Sequence, residues 1–465
     1  MESRIETDPL GEKNIPIDAY YGIQTLRAVE NFPVSGIKAP EVFIKAYIMI
    51  KKAAAITNEN VGKLDSKLAK AIIQASDEIL SGKLLNQFVV DVFQAGAGTS
   101  FNMNVNEVLA NRALEIIHKG KGDYQVINPN DHVNMSQSTN DTFPTALHVS
   151  ILIALRVLIQ EIEKLSSTFD YLGKKHYSVL KSGRTHLQDA VPITIGQEFG
   201  AYSSVLKNSA DQLKKSQENL YEVALGGTAV GTGANAHPQY KVEAINKLGA
   251  LCGFPLIPAK NSFEALQSCR RVQTISSSLK ELALELVRIS NDLRLLSSGP
   301  TTGLNEILLP AVQPGSSIMP GKVNPVMAEC MNMIGFQVIG NDLTISFAVQ
   351  AGQLDLNVMS PVIMNNILFS IQILTNYLPI FRKSCVQGIK VNSKRCAEYL
   401  NKNPSLATFL TPYIGYLESS KIAKQALKEK RSVKDVAIEK KILSTKELNR
   451  ILNPKNLFKK KNDSK

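Results

Sequence analysis

Tryptophan is absent from the 465 residues, and histidine (six) and cysteine (five) are sparse. The cysteines, Cys252, Cys269, Cys330, Cys385 and Cys396, are scattered and odd in number, with no pair at metal-ligand spacing. That pattern argues against a disulfide framework or a zinc motif and predicts reduced core thiols. His118, His132, His148, His176 and His237 show no metal-ligand spacing either, and no Walker or dinucleotide fingerprint occurs. No metal and no organic cofactor is therefore expected. The first residues, Met1-Glu2-Ser3-Arg4-Ile5-Glu6, are polar and acidic, unlike a basic-then-apolar secretory leader. No apolar run approaches the roughly 18 residues of a membrane span; Arg156 interrupts the stretch 151–159. The expectation is a cytoplasmic protein with no membrane partner.

What is present is a globular composition, 44% apolar, carrying a net charge of +12 from 53 basic and 41 acidic residues. The basic residues are spread along the chain without a nucleic-acid motif, so no nucleic-acid partner is expected. A positive field also attracts small dianions. The one basic cluster, Lys455, Lys459, Lys460, Lys461 and Lys465, reads as a solvated tail.

Hydrophobic spacing predicts long helices. His148, Ile151, Leu155, Leu158, Ile162, Leu165, Phe169 and Leu172 follow a 3-4 alternation, and so do Val272, Ile275, Leu279, Leu282, Leu286, Ile289, Leu293 and Leu296. Each series implies a helix of roughly 25 residues, ~37 Å. Further helices are expected near 195–223, 326–350 and 361–390, with shorter ones near 43–58 and 64–82. Long helices with continuous seams pack as a bundle. Proline-bearing turns mark residues 1–40 and the chain beyond about 394. The expected architecture is all-α, with an N-terminal domain (1–139), a central helical bundle (140–394) and a small C-terminal domain (395–465).

Four polar clusters interrupt this pattern. Gly96-Ala97-Gly98-Thr99-Ser100 lets backbone approach a ligand closely, or caps a helix. Ser136-Gln137-Ser138-Thr139-Asn140-Asp141 has N-cap residues ahead of a helix, and a helix N-terminus attracts anions. Gly183-Arg184-Thr185-His186-Leu187-Gln188-Asp189 places a histidine beside a hydroxyl in what reads as a polar loop between two helices. Gly315-Ser316-Ser317-Ile318-Met319-Pro320-Gly321-Lys322-Val323-Asn324-Pro325 excludes regular structure and collects two hydroxyls, a cation and an amide. Such a loop can close over an anionic substrate. The glycine-rich run 226–233 reads differently: no strand is expected before it, so a phosphate loop is not expected.

The eleven-residue string 315–325 resembles the signature of the fumarase/aspartase superfamily of lyases, and the other clusters follow in that family's order over nearly the whole chain. The segment 20–32, Gly96–Ser100, Ser138-Thr139-Asn140, Gly303–Ile307 and 353–358 are similar to the branch that eliminates ammonia from aspartate. Thr301-Thr302 departs from that branch's pattern. The resemblance implies an all-α fold whose bundles merge in a homotetramer, with each active site shared by three subunits. It implies a small dicarboxylate substrate and reversible elimination of ammonia from L-aspartate to give fumarate, through an aci-carboxylate intermediate. The alternative it leaves open is hydration of fumarate by a class II fumarase. Ser316 would be the general base. Ser317, Lys322 and Asn324 would share its loop. Thr99, Ser138, Thr139 and Asn140 would hold the amine and carboxylates, and Thr185 and His186 would contact the reacting end.

Overall fold

The computed structural model describes residues 2–452, so the basic tail lies outside the described residues. The chain begins with a ribbon, β1 (Ser3–Asp8) and β2 (Gly11–Pro16). Helices α1 (Ile23–Asn31), α2 (Glu41–Asn60), α3 (Ser66–Leu80) and α4 (Thr99–Ile116) follow. Next come α5 (Thr139–Lys175), β3 (Leu180–Thr185), β4 (Gln188–Thr194) and α6 (Ile195–Gln217). Then β5 (Glu222–Val223), α7 (Tyr240–Cys252), β6 (Ile257–Pro258), α8 (Ser262–Gln267) and α9 (Arg270–Leu296). β7 (Ile307–Leu308), α10 (Val326–Gln350), α11 (Ser360–Phe381) and β8 (Lys390–Val391) lead to the C-terminal helices. These are α12 (Ser393–Lys402), α13 (Thr411–Ile414), α14 (Tyr416–Glu429), α15 (Val433–Glu439) and α16 (Thr445–Ile451).

The chain is mostly helical, and the heptad seams are the reason. The apolar members of the α5 series from Ile151 to Leu172, and all of the α9 series from Val272 to Leu296, are buried. At ~1.5 Å per residue, the 37-residue α5 reaches about 55 Å. It is longer than its seam suggested because the helix begins at Thr139, which puts Pro144 in the second turn rather than the first. By length and composition α5 could cross a membrane, but 67% of its most apolar window is buried within the protein, as in a core helix.

Contacts group the chain into two compact units. The first comprises the residues up to Glu161, Ser209–Leu284 and Ile334–Asn376. In it α2 packs on α3 and α7, and Phe43, Tyr47, Phe101 and Phe143 form an aromatic cluster. The second comprises Ile162–Asn208, Glu285–Met333 and the chain from Tyr377 onward. It includes a small core of its own around Leu410, Ile422, Val436 and Leu448.

Four two-stranded ribbons accompany the helices among the described residues. β1–β2 and β3–β4 pair antiparallel, the second with a register shift at Ser182/Gly183. β5–β6 is parallel, so a two-residue strand does precede the glycine-rich run, contrary to expectation. β1 gives no apolar alternation because the side chain it buries is Glu6, paired with Arg4 at 2.8 Å. Beside it, buried Glu107 accepts the backbone N–H groups of Gly22, Gln24 and Thr25 and so caps α1. A Cβ at Gly22 would lie 2.5 Å from the Tyr124 hydroxyl, which fixes glycine there.

Candidate active site

In the first unit, α4 and α5 present their N-termini. The N-cap of α4 is Gly98, in the left-handed region (φ 96°); a Cβ there would sit 2.2 Å from the Phe143 ring of α5. Glycine thus lets the two helix starts pack closely. Thr99 is the first helical residue and is exposed, and its hydroxyl donates to the Gly96 carbonyl at 2.6 Å. Ala97, Thr139 and Asn140 line one small cavity of about 20 Å³, enough for a water.

The start of α5 is tightly fastened. The Ser138 hydroxyl accepts the Asn140 N–H at 3.2 Å. Asp141 accepts the Ser138 N–H at 3.0 Å, and with its other oxygen the N–H groups of Gly226 and Thr228 at 3.0 and 2.8 Å. The Asn140 amide donates to the Ala229 carbonyl at 2.8 Å. The glycine-rich run therefore cradles an internal carboxylate. Burial pushes the Asp141 carboxyl up to about 7, against the pull of those three amides.

Behind both helix starts lies Lys51 of α2, with no exposed surface. Its ammonium donates to the side-chain oxygens of Asn102 (2.8 Å) and Asn134 (2.9 Å). Asn102 lies one turn beyond Thr99, and the Asn134 amide donates to the Gln137 carbonyl, just before Ser138. Tyr47 and Asn58, on the same helix, bond Thr142 and the Met135 carbonyl. Burial pushes the Lys51 ammonium down to about 7, with Asp141 acting against it through space.

In the second unit, Thr185 and His186 occupy a β-hairpin tip, not the polar loop the sequence suggested. His186 and Leu187 form its two-residue turn with φ of 56° and 58°. Both central residues of such a turn need positive φ. Without glycine, each incurs roughly 1–2 kcal/mol. Both side chains are exposed. The hairpin stem is braced by buried ion pairs. Arg184 meets Glu306 through two 2.9 Å hydrogen bonds, and Lys181 reaches Glu306 at 3.0 Å and Glu198 at 2.9 Å. The Arg184 guanidinium also lies 5.5 Å from the Tyr399 ring.

The signature loop, in the same unit, is closed at its base. The Gly315 N–H donates to the Lys322 carbonyl at 2.8 Å, and the Asn324 amide to the Gly315 carbonyl at 2.7 Å. At its head the Ser316 hydroxyl oxygen accepts two backbone N–H groups, from Ile318 at 3.2 Å and Met319 at 3.0 Å. Two aimed amides are what an alkoxide at that oxygen would need. Ser317 and Lys322 are exposed, and no carboxylate lies within ion-pair distance of Lys322 among the described residues. Among the described residues, no hydrogen bond joins Thr185 or His186 to Ser316, Ser317, Lys322 or Asn324.

The structure thus brings Thr99 toward Ser138, Thr139 and Asn140 in one unit, and holds Thr185–His186 and Ser316–Asn324 in the other. Sequence reasoning assigned no role to Lys51, Lys181, Glu198 or Glu306. Lys51 had a signal: a charge at i+4 from Tyr47 on a helix face otherwise filled by Phe43, Tyr47 and Ala54.

Comparison with known proteins is consistent with this inventory. A family profile described as "Lyase" matches residues 11–340, and one described as "Fumarase C C-terminus" matches 406–459. The chain is 52% identical over 453 residues to an aspartate ammonia-lyase of Bacillus subtilis, covering 97% of this chain and 95% of the relative. It is 46% identical to the aspartate ammonia-lyase of Escherichia coli K12, covering 98% and 96%. A cobalt-bound structure described as fumarate lyase:delta crystallin from Brucella melitensis superposes with a TM-score of 0.95 at 48% identity, covering 98% and 99%. A class II fumarase from Schistosoma mansoni gives 0.94 at 39% identity, covering 97% and 98%.

Proposed function

This chain belongs to the fumarase/aspartase superfamily of lyases, and within it we propose that the chain reversibly eliminates ammonia from L-aspartate to give fumarate. The observation that carries this reading is identity of 46–52% over nearly the full length to relatives named aspartate ammonia-lyase, against 39% to the class II fumarase.

The chemistry follows from the groups described. Removing a proton from Cβ of aspartate places a second negative charge on the neighbouring carboxylate, as an aci-carboxylate. Ser316, as an alkoxide held by the Ile318 and Met319 amides, takes that proton and becomes a hydroxyl. The C–N bond then breaks, the amine leaves, and the double bond of fumarate forms. Lys322 supplies a cation, and Ser317 and Asn324 further hydrogen bonds, once the loop covers the substrate. Loop closure excludes water and strengthens these contacts. Thr99, Ser138, Thr139 and Asn140 hold carboxylates and amine at two helix N-termini. Thr185 and His186 contact the reacting end.

Assembly belongs to the same reading: a homotetramer with sites shared by three subunits, in the cytoplasm, each chain organised as 1–139, 140–394 and 395–465. In its support, α10 exposes Met333, Phe336, Leu343 and Phe347 in heptad-like register, a stripe that another copy of the chain can cover. Purified protein given fumarate with and without ammonium tests the reaction, read by absorbance of the double bond. Fumarate consumed only with ammonium is the expected result. Consumption without ammonium would make the chain a hydratase instead.

A further inference from the structure

We propose that Lys51 is the buried cation that completes the dicarboxylate site, acting from behind the N-termini of α4 and α5 as a positioning residue rather than touching the substrate. The inference rests on the reading above that these two helix starts receive carboxylates.

Charge carries the argument. Lys51 has no exposed surface, and its ammonium bonds only neutral amide oxygens, those of Asn102 and Asn134. Among the described residues, no carboxylate lies within ion-pair distance of it. Buried charges are ordinarily paired, because an isolated ion in a protein interior is costly. The Tyr47 ring, 5.6 Å away, compensates part of that cost. Asp141 of α5 acts on Lys51 through space, but its oxygens are already spoken for by three backbone amides. Among the described residues, Asp141 is the one negative charge near these helix starts, and it makes no ion pair with Lys51, so the Lys51 ammonium is left to act on a dianionic substrate.

Connectivity carries the rest. Asn102 ties Lys51 to α4 one turn from Thr99. Asn134 ties it to the segment entering Ser138, and the Asn102 amide donates to Asn134 at 3.2 Å, closing the triangle. A single ammonium thus holds both carboxylate-binding helix starts at a common spacing. It also adds positive potential to the two helix dipoles, which act over the first turn.

The charge should respond to the ligand. A bound dianion favours the protonated ammonium, so binding takes up a proton when Lys51 titrates near neutrality. Affinity then rises as pH falls from about 8.5 to about 6.5. The titratable groups facing Lys51 are Asp141 on α5 and Tyr47 on α2. Protonation of Asp141 over the same range removes a competing negative charge and works in the same direction.

The test uses succinate, a dicarboxylate that cannot react, and calorimetry on the full-length protein at several pH values. Lys51→Gln keeps hydrogen-bond donors for Asn102 and Asn134 but removes the charge. It should stay folded, lose about 10- to 100-fold in succinate affinity at pH 7, and show a weaker pH dependence, the remainder coming from Asp141. Affinity for a monocarboxylate such as propionate should fall much less. Lys51→Met is the second variant, should glutamine perturb the fold. Either variant, folded and binding succinate as tightly as wild type, would overturn the proposal. So would equal losses for succinate and propionate, or a pH dependence as steep in the variant as in the wild type. Because binding alone is read, the result does not depend on whether the wild type consumes fumarate with ammonium.

Discussion

Lys51 and Lys181 are both shut away from solvent, at 0% and 2% exposure, but their surroundings differ in charge. Lys181 shares Glu306 with Arg184 and also holds Glu198, so two cations face two carboxylates. Lys51 faces two amide oxygens. The balanced network holds a hairpin stem whose tip carries Thr185 and His186; the unbalanced one stands behind helix starts suited to anions. Buried charge that the chain neutralises itself acts as architecture. Buried charge left open is where a ligand is expected. The two compact units divide along the same line, one carrying the helix N-termini of α4 and α5, the other the serine loop.

The largest effect should fall on the chemistry alone. Ser316→Ala should lower kcat by about 10³-fold or more while succinate binding stays within about threefold of wild type. The reverse pattern, intact turnover with weakened binding, would erase the distinction between a binding and a reacting cluster.

Glu306→Ala addresses the balanced network. It strands Arg184 and leaves Lys181 with Glu198 alone; breaking a buried pair costs ~3–5 kcal/mol, read as a fall in melting temperature or loss of soluble protein. Lys51→Met should change stability by less than about 2 kcal/mol, because it removes an isolated charge along with two hydrogen bonds. Equal destabilisation by both would mean the two lysines serve the same purpose.

The pH dependence of stability separates them next. The folded protein lowers the Lys51 pKa to about 7, below its unfolded value near 10.5, so the unfolded chain binds more protons across that window. Stability from this group therefore rises with pH from about 7 to about 10, and its burial penalty is full below about 7. Relative to Lys51→Met, the wild type should gain about 1 kcal/mol or more between pH 7 and 9.5, measured by denaturant midpoints at each pH. A parallel pair of curves would show that Lys51 stays charged throughout.

Much of this organisation was legible in the sequence. The seams of α5 and α9 were visible because one residue in three or four is apolar and every such residue is buried. The loop 315–325 was visible because its glycines and prolines exclude regular structure. The hairpin of β3 and β4 was not. His186 and Leu187 adopt positive φ without the glycine or asparagine that marks such turns, and the residues pinning the stem are charged rather than alternately apolar. Lys51 escaped notice because a lysine in Ile50-Lys51-Lys52-Ala53 looks like a solvated one; its place on the Phe43–Tyr47 face of α2, rather than its neighbours in sequence, separates it from half-buried Lys52. Its partner asparagines lie 51 and 83 residues away. The same hairpin yields the smallest effect: Leu187→Gly should stabilise the protein by about 1 kcal/mol through relief of the left-handed backbone, seen as a slight rise in melting temperature. A loss of stability would mean that the exposed leucine is covered in the assembly.

Under the proposed function, the helix-start cluster and the serine-loop cluster act in one site built from several copies of the chain. Co-refolding two inactive variants, Thr99→Ala and Ser316→Ala, tests this most directly. If different copies supply the two clusters, about a quarter of the sites in randomly mixed oligomers retain both intact groups. Fumarate consumption with ammonium should then recover to roughly that fraction of wild type. Activity that stays at the level of either parent, in oligomers shown to contain both variants, would contradict the shared site.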